Sequence, residues 1–187
     1  MEQLKRYRSI GVCGLDCGLC PRFYTSGKSR CPGCGGPGFS DKHPSCSFIT
    51  CCVKRKGLEV CGQCSEFPCS KFKTEKEYRE LESSSYPPSR KMLPNLRFIK
   101  ERGIREFVKR QKKRMALLKI MLEGHDDGRS KSYFCRAAAL LDATTVRRSI
   151  RKVETGRTVE VRDKARALKA FLEEAALRGG IELQGEK

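Results

Sequence analysis

The sequence predicts a small, irregular cysteine-rich module followed by an all-α bundle, mainly α overall, in a chain of 187 residues. Three observations predict it. Eleven of the twelve cysteines fall between positions 13 and 69, so the front of the chain is built differently from the rest. Beyond residue 95, apolar residues recur at the helical period rather than in strand-like alternation. The longest near-continuous apolar stretch, residues 137–141, is far short of the roughly 20 residues a bilayer span needs, so no membrane partner is expected. Length and apolar supply also exclude a large β-sandwich or an α/β barrel. The expected division is 1–70 for the cysteine-rich module and 71–187 for a basic helical domain, with a linker near 83–89.

The module comes first. Its cysteines are Cys13, Cys17, Cys20, Cys31, Cys34, Cys46, Cys51, Cys52, Cys61, Cys64 and Cys69. The same window holds only eleven other clearly apolar residues, among them Leu15, Leu19, Phe39, Ile49, Val60 and Phe67. So few cannot offset the entropy of ordering the segment, and a staple is required. Disulfides need an oxidising compartment. The opening MEQLKRYRSIGVCG has basic residues but no apolar stretch of the signal-peptide kind, which predicts a cytoplasmic location.

The spacings favour metal. Cys17-x2-Cys20 and Cys31-x2-Cys34 form a pair of knuckles, and Cys61-x2-Cys64 repeats the unit. Two intervening residues let both thiolates reach one ion, and a second knuckle completes a tetrahedron of Zn–S bonds of about 2.3 Å. The module is therefore expected to be metal-stapled, of zinc-knuckle or ribbon-like form. Eleven cysteines and His43 would fill three four-coordinate sites; two zinc ions is the expected number. One would take Cys17, Cys20, Cys31 and Cys34, the other Cys46, Cys51, Cys61 and Cys64. Cys13 and Cys69 can replace members of either set, because chain order does not decide which knuckles pair. His43, in DKHPSC, reads as a solvated loop histidine.

Thiolate tetrahedra also suit iron–sulfur clusters, and a [4Fe–4S] cluster on Cys13, Cys17, Cys20 and Cys69 is the alternative. Cys13-x3-Cys17-x2-Cys20 has the spacing of radical enzymes that use S-adenosylmethionine, but no strand–helix repeats follow it to build their barrel. A thioredoxin-type CxxC would need a βαβ setting that the sequence lacks.

The helices follow in order. Residues 71–82, KFKTEKEYRELE, read as a short polar helix, broken by SSSYPP at 83–88. Residues 95–102 read as a helix stopped by Gly103. A longer one runs from Ile104 to Gly124, with apolar positions 104, 107, 108, 115, 118 and 122 on one stripe. HDDGRS leads into a helix over 130–141, on which Cys135 reads as a buried thiol. Val146, Ile150 and Val153 mark another. The last spans 163–178, with Asp163 as N-cap, Val161, Ala165, Leu168, Leu172 and Ala175 as its face, and Gly179 as its stop. Residues 181–183 read as a short terminal strand.

The front of the chain resembles a known family. GVCGLDCGLCP, the CPGC at 31–34, and Cys46-x4-Cys51 followed by KRKGLEVCGQCSEFPCSKF resemble the prokaryotic cysteine-rich family called domain of unknown function 3795. The similarity continues through NLRFIKERGIREFV and DGRSKSYFCRAAALL to LEEAALRGGIEL. It implies a metal role for Cys13, Cys17, Cys20, Cys31, Cys34, Cys46, Cys51, Cys61, Cys64 and Cys69. Cys52 falls outside the pattern and is treated as a non-ligand. Members often carry further knuckles after the long helix; here MALLKIMLEG stands in their place, which argues against a metal site in the C-terminal half.

Forty basic residues against 22 acidic ones leave a net charge of +18. Eight thiolates and two zinc ions would lower it to about +14. Ten basic residues crowd positions 97–119 against Glu101 and Glu106. Such a charge draws polyanions, so nucleic acid is an expected partner through 97–119, with a protein partner as the other. No Ser-His-Asp set, P-loop or dinucleotide-binding glycine pattern is present, and GGPG at 35–38 is a turn. His125, in HDDG, reads as solvated. The sequence therefore predicts a zinc-stabilised binding or adaptor module without catalytic residues, with a redox or sensor protein and a metalloenzyme as alternatives.

Overall fold

The computed structural model describes residues 3–43, 45–72, 87–156 and 160–183. The described residues form five α-helices: α1 Met92–Arg102, α2 Ile104–Gly124, α3 Lys131–Leu140, α4 Ala143–Glu154 and α5 Val161–Arg178. The cysteine-rich segment before them is irregular, with short 3-10 turns and one π-helical stretch, Ile49–Arg55. No strand occurs among the described residues. Most of the polar helix expected over 71–82, and of the linker near 83–89, lies outside those residues.

Each boundary has a local cause. Pro94 sits in the first turn of α1, where its missing N–H costs nothing. Gly103, at φ 81°, ends α1 and donates its N–H to the Ile99 carbonyl at 2.8 Å. Before α3, Asp126 Oδ1 accepts from the backbone of Gly128 and Ser130, and Asp127 Oδ1 from that of Arg129. Asp142 caps α4, accepting from the N–H groups of Thr144 and Thr145 at 2.9 Å.

Two expectations are corrected at the last helix. It starts at Val161 with Glu160 as N-cap, and Asp163 lies in its first turn. Asp163 still favours the helix there, as a negative charge near the N-terminus. Residues 181–183 form no strand, since no second strand is present to pair with them. They act through Leu183, which is fully buried.

Contacts divide the chain into two compact units, Met1–Gln111 and Lys112–Lys187. The division falls within α2, well beyond the boundary expected after residue 70. In the first unit, Ile10, Val12, Ile49, Val60, Phe67 and Phe72 pack together with Cys34, Cys52 and Cys61. Leu96, Ile99, Phe107 and Val108, from α1 and the start of α2, complete that core. The cysteine-rich segment thus borrows apolar surface that its own sequence lacks.

Glycine permits the close approach. A Cβ on Gly14 would lie 2.2 Å from the Met92 carbonyl oxygen, and one on Gly62 would lie 2.5 Å from that of Leu96. Asn95 Nδ2 donates to the Gly14 carbonyl at 2.9 Å, and Lys100 Nζ to that of Phe67 at 2.6 Å. At the end of this unit Gln111 is fully buried, with Nε2 donating to the Ser9 carbonyl and to Asp16 Oδ1. It joins Phe107, Val108, Leu117, Leu118 and Met121 on the buried side of α2. Of the expected stripe Phe107, Val108 and Leu118 are buried, while Ile104, Met115 and Leu122 are half-buried and Leu117 and Met121 replace them.

The second unit has an ordinary helical core. Phe134, Ala137, Ala138 and Leu140 of α3 are buried, as are Val146, Ile150 and Val153 of α4. Ala165, Leu168, Leu172 and Ala176 of α5 are buried too, at the period the sequence shows, with Ala176 in place of the expected Ala175.

Candidate metal centre

The first and third knuckles fold alike. Cys17–Leu19 and Cys61–Gln63 are single 3-10 turns, in which the N–H of Cys20 reaches the Cys17 carbonyl at 3.2 Å and that of Cys64 the Cys61 carbonyl at 3.0 Å. The middle knuckle turns at Gly33, φ 85°, where a Cβ would meet the Arg8 carbonyl oxygen at 2.4 Å. That carbonyl accepts the N–H of Cys34 at 2.9 Å, which seats the knuckle against the chain's opening segment. Cys46 precedes the π-helical stretch, which carries Cys51 and Cys52.

These turns bring cysteines together across the sequence. Cys13 lies in electrostatic range of Cys34 and Cys46, Cys17 of Cys34 and Cys13, and Cys34 of Cys46 and Cys31. Cys13, Cys17, Cys31, Cys34 and Cys46 are thus electrostatic neighbours although they come from separate stretches of the chain. Burial pushes the Cys13 thiol up to about 11, and raises Cys17 and Cys34 as well, with neighbouring thiols adding to the effect. None of the twelve cysteines is in a disulfide.

A second group forms around Cys61. Its thiol shares a hydrogen bond with Cys52, which with burial pushes Cys61 up, and Cys13 and Cys69 lie in range. Cys52 is 2% exposed and also donates to the Leu58 carbonyl at 3.7 Å. Cys64 accepts from Lys56 Nζ at 3.4 Å, and the same ammonium pairs with Glu66 at 2.6 Å.

Two partners were not legible in the sequence. His43, expected as a solvated loop residue, is half-buried, with Nε2 3.3 Å from Cys31 Sγ. Its ring stacks on Phe39 at 4.3 Å. Burial, aided by the charges of Arg22 and Lys42, lowers its pKa and favours the neutral ring. Lys5 is the other. It is 2% exposed, its Nζ donates to the Ile10 carbonyl at 2.6 Å, and its charge reaches Cys17, Cys34 and Cys52. A buried ammonium is costly unless anions stand near it. The only hint of Lys5 in the sequence was its position ahead of the first knuckle.

Among the described residues, no three or more His, Cys, Asp or Glu are arranged to hold a metal ion as they stand. The donor chemistry nevertheless fits a thiophilic cation. Cys13, Cys17, Cys34 and Cys46 would supply four thiols beside a buried positive charge, and Cys31 with His43 a mixed pair. A bound cation would reverse the effect of burial and favour the thiolates.

Outside this region, His125 is buried rather than solvated, 4% exposed, with Nδ1 3.5 Å from the Ile120 carbonyl. Its backbone N–H also reaches the Met121 carbonyl of α2 at 3.0 Å, and the polar sequence HDDG concealed this burial. Cys135 is buried on α3. In the basic run over 97–119, several charges serve the fold. Lys100 binds the Phe67 carbonyl, the Arg110 guanidinium lies 4.3 Å from the Phe98 ring centroid, and Arg114 donates to the Ala139 carbonyl at 3.2 Å. Among the described residues no helix is long and apolar enough to cross a membrane.

Fold and thiol-rich site together define a mainly helical protein with a cysteine-rich N-terminal region. Residues 9–74 match the family described as protein of unknown function, DUF3795, which is the family the knuckle motifs resemble. The match spans the cysteine segment and stops before α1. Searches of curated proteins and of solved structures find no match.

Proposed function

We propose that the first unit is a zinc-binding module in which the metal is structural, and that the protein works by binding a partner rather than by catalysis at the metal. The observation that carries this reading is the contact of Cys31 Sγ with His43 Nε2 at 3.3 Å, in a cysteine-rich unit that also buries the ammonium of Lys5. We assign Cys13, Cys17, Cys34 and Cys46 to one centre near that ammonium. Those four would hold one ion. Cys20, Cys31, Cys51, Cys61, Cys64 and Cys69, with His43, are the donors left for a second. Four thiolates around a zinc ion leave no open position for substrate, and the net charge of such a centre is negative, which suits the ammonium of Lys5. Zinc supplies no redox chemistry. It would close the knuckles on one another and contribute folding free energy on the order of 10 kcal/mol.

The test is metal content by elemental analysis, with an ultraviolet–visible spectrum, on protein purified without oxygen. Two zinc ions per chain and a colourless solution are expected, with one ion lost in Cys34→Ser and none in Cys135→Ser. A brown protein containing iron and sulfide would replace zinc with a cluster. Full metal content in Cys34→Ser would overturn the assignment of that thiol.

A further inference from the structure

We propose that the second unit binds a compact phosphate-bearing anion, of the diphosphate type, in a cavity between the loop before α3 and the first half of α5. The cavity has a volume of about 510 Å³ and is lined by Asp127, Arg129, Arg162, Arg166 and Lys169. Four cations and one carboxylate face the same space. Arg162, Arg166 and Lys169 recur at intervals of four and three residues, so they rise from one flank of α5 beside its buried stripe.

The neighbouring carboxylates are already engaged. Asp127 accepts the Ser130 hydroxyl at 2.5 Å as well as the N–H of Arg129. Asp163 takes one Arg166 nitrogen at 3.3 Å, and Glu173 accepts the Tyr133 hydroxyl at 2.6 Å. Arg129 and Arg162 have no carboxylate partner among the described residues. Like charges facing one cavity repel, and an anion relieves that repulsion. Guanidinium groups suit phosphate because their planar donors bind two oxygens at once. A volume of this size lies within the roughly 300–1,000 Å³ of small-molecule sites, and the lining carries three net positive charges, the magnitude of a diphosphate's charge.

A second basic hollow on the opposite flank of α5 makes the contrast. It measures about 290 Å³ and includes Arg148, Lys152 and Arg178. There Arg178 pairs with Glu174 at 3.1 Å, and Lys152 lies 5.0 Å from the Phe171 ring centroid. There Lys152 and Arg178 have partners inside the fold. In the larger cavity Arg166 is held by Asp163 and Lys169 lies 6.0 Å from the Tyr133 ring centroid, which leaves Arg129 and Arg162 as its cations without a carboxylate among the described residues.

The experiment is titration calorimetry on the zinc-loaded full chain, with inorganic pyrophosphate, a nucleoside diphosphate and a single-stranded RNA oligonucleotide in separate arms. Pyrophosphate should bind once per chain. The double substitution Arg162→Gln, Arg166→Gln should weaken it at least tenfold, and Arg147→Gln, at an exposed site on α4, should leave it unchanged. A thermal melt matching the unsubstituted protein shows that the double variant is folded; both side chains are exposed. Tighter binding of the nucleoside diphosphate would name a nucleotide as the source of the phosphate, and equal binding the diphosphate group alone. The proposal is overturned by no pyrophosphate binding, by equal affinity in the double variant, or by RNA binding that pyrophosphate does not displace. Zinc content plays no part in this readout, so failure here leaves the metal reading intact.

Discussion

The two compact units solve the same problem with different materials. Lys112–Lys187 holds Leu, Ile, Val, Phe and Ala at helical spacing, so α3, α4 and α5 close over one another's apolar faces. Met1–Gln111 has half-buried and buried thiols where the other has leucines, and several of its turns need glycine. It reaches an apolar core only by taking Leu96, Ile99, Phe107 and Val108 from α1 and the start of α2. Both units are basic: the first has 22 basic against 11 acidic residues, the second 18 against 11. The first buries an ammonium beside thiols, whereas the second directs its cations into an open cavity. A helical core can be stable on apolar burial alone. On the proposed reading, bound metal supplies the first unit with a contribution that the second does not use.

Metal removal should separate the units most sharply. A strong chelator should abolish amide-exchange protection around Ile10, Val12, Val60 and Leu96, while Leu168 and Leu172 keep theirs. The expected loss is on the order of 10 kcal/mol in the first unit. Equal protection before and after chelation, on protein shown to have lost its metal, would end the distinction.

Next in size is the reverse perturbation. Leu168 has no exposed surface, so Leu168→Ala should leave a cavity and cost about 2–5 kcal/mol in urea unfolding, with zinc content unchanged. A fall in bound metal would mean that the two units are not separately stabilised.

Gly14→Ala tests the seating of α1. Its Cβ would lie 2.2 Å from the Met92 carbonyl oxygen, and φ there is 93°. A loss of about 1–3 kcal/mol is expected in the first unit only, read by exchange at Leu96 and Ile99.

Lys5→Met sharpens the comparison through a change of sign. With zinc bound, the ammonium faces thiolates, and its removal should destabilise the first unit by about 1–3 kcal/mol. Without metal the thiols are neutral, and replacing a buried charge by an apolar side chain should be neutral or stabilising. Melts of both variants with and without chelator measure this directly, and a cost of the same size in both conditions would remove the anionic centre from the account.

The smallest expected effect lies in the second unit. Asp142→Ala should cost about 1 kcal/mol, because two N–H groups of α4 lose their acceptor. The Thr145 hydroxyl and the backbone donors hold the Asp142 carboxyl below its usual range. Its contribution is therefore present at neutral pH and fades as the pH falls through the carboxylate range. Unfolding at pH 7 and pH 3 should differ less in the variant than in the unsubstituted chain.

Helix periods and stops were legible in the sequence because they depend on near neighbours. The apolar spacing along α5 and the Gly103 and Gly124 stops all act within a few residues. The cysteine string was legible for the same reason: a CxxC turn is local, and its chemistry belongs to the residue type. What the tertiary structure alone decided is long-range. It set His43 against Cys31, buried Lys5 with its Nζ on the Ile10 carbonyl, and buried His125. It also laid α1 on the knuckles, so that the core of the first unit crosses the boundary that composition suggested. Composition and spacing record what each segment can do by itself. Burial, and with it the strength of a charge or the state of a thiol, depends on which distant segments close over it.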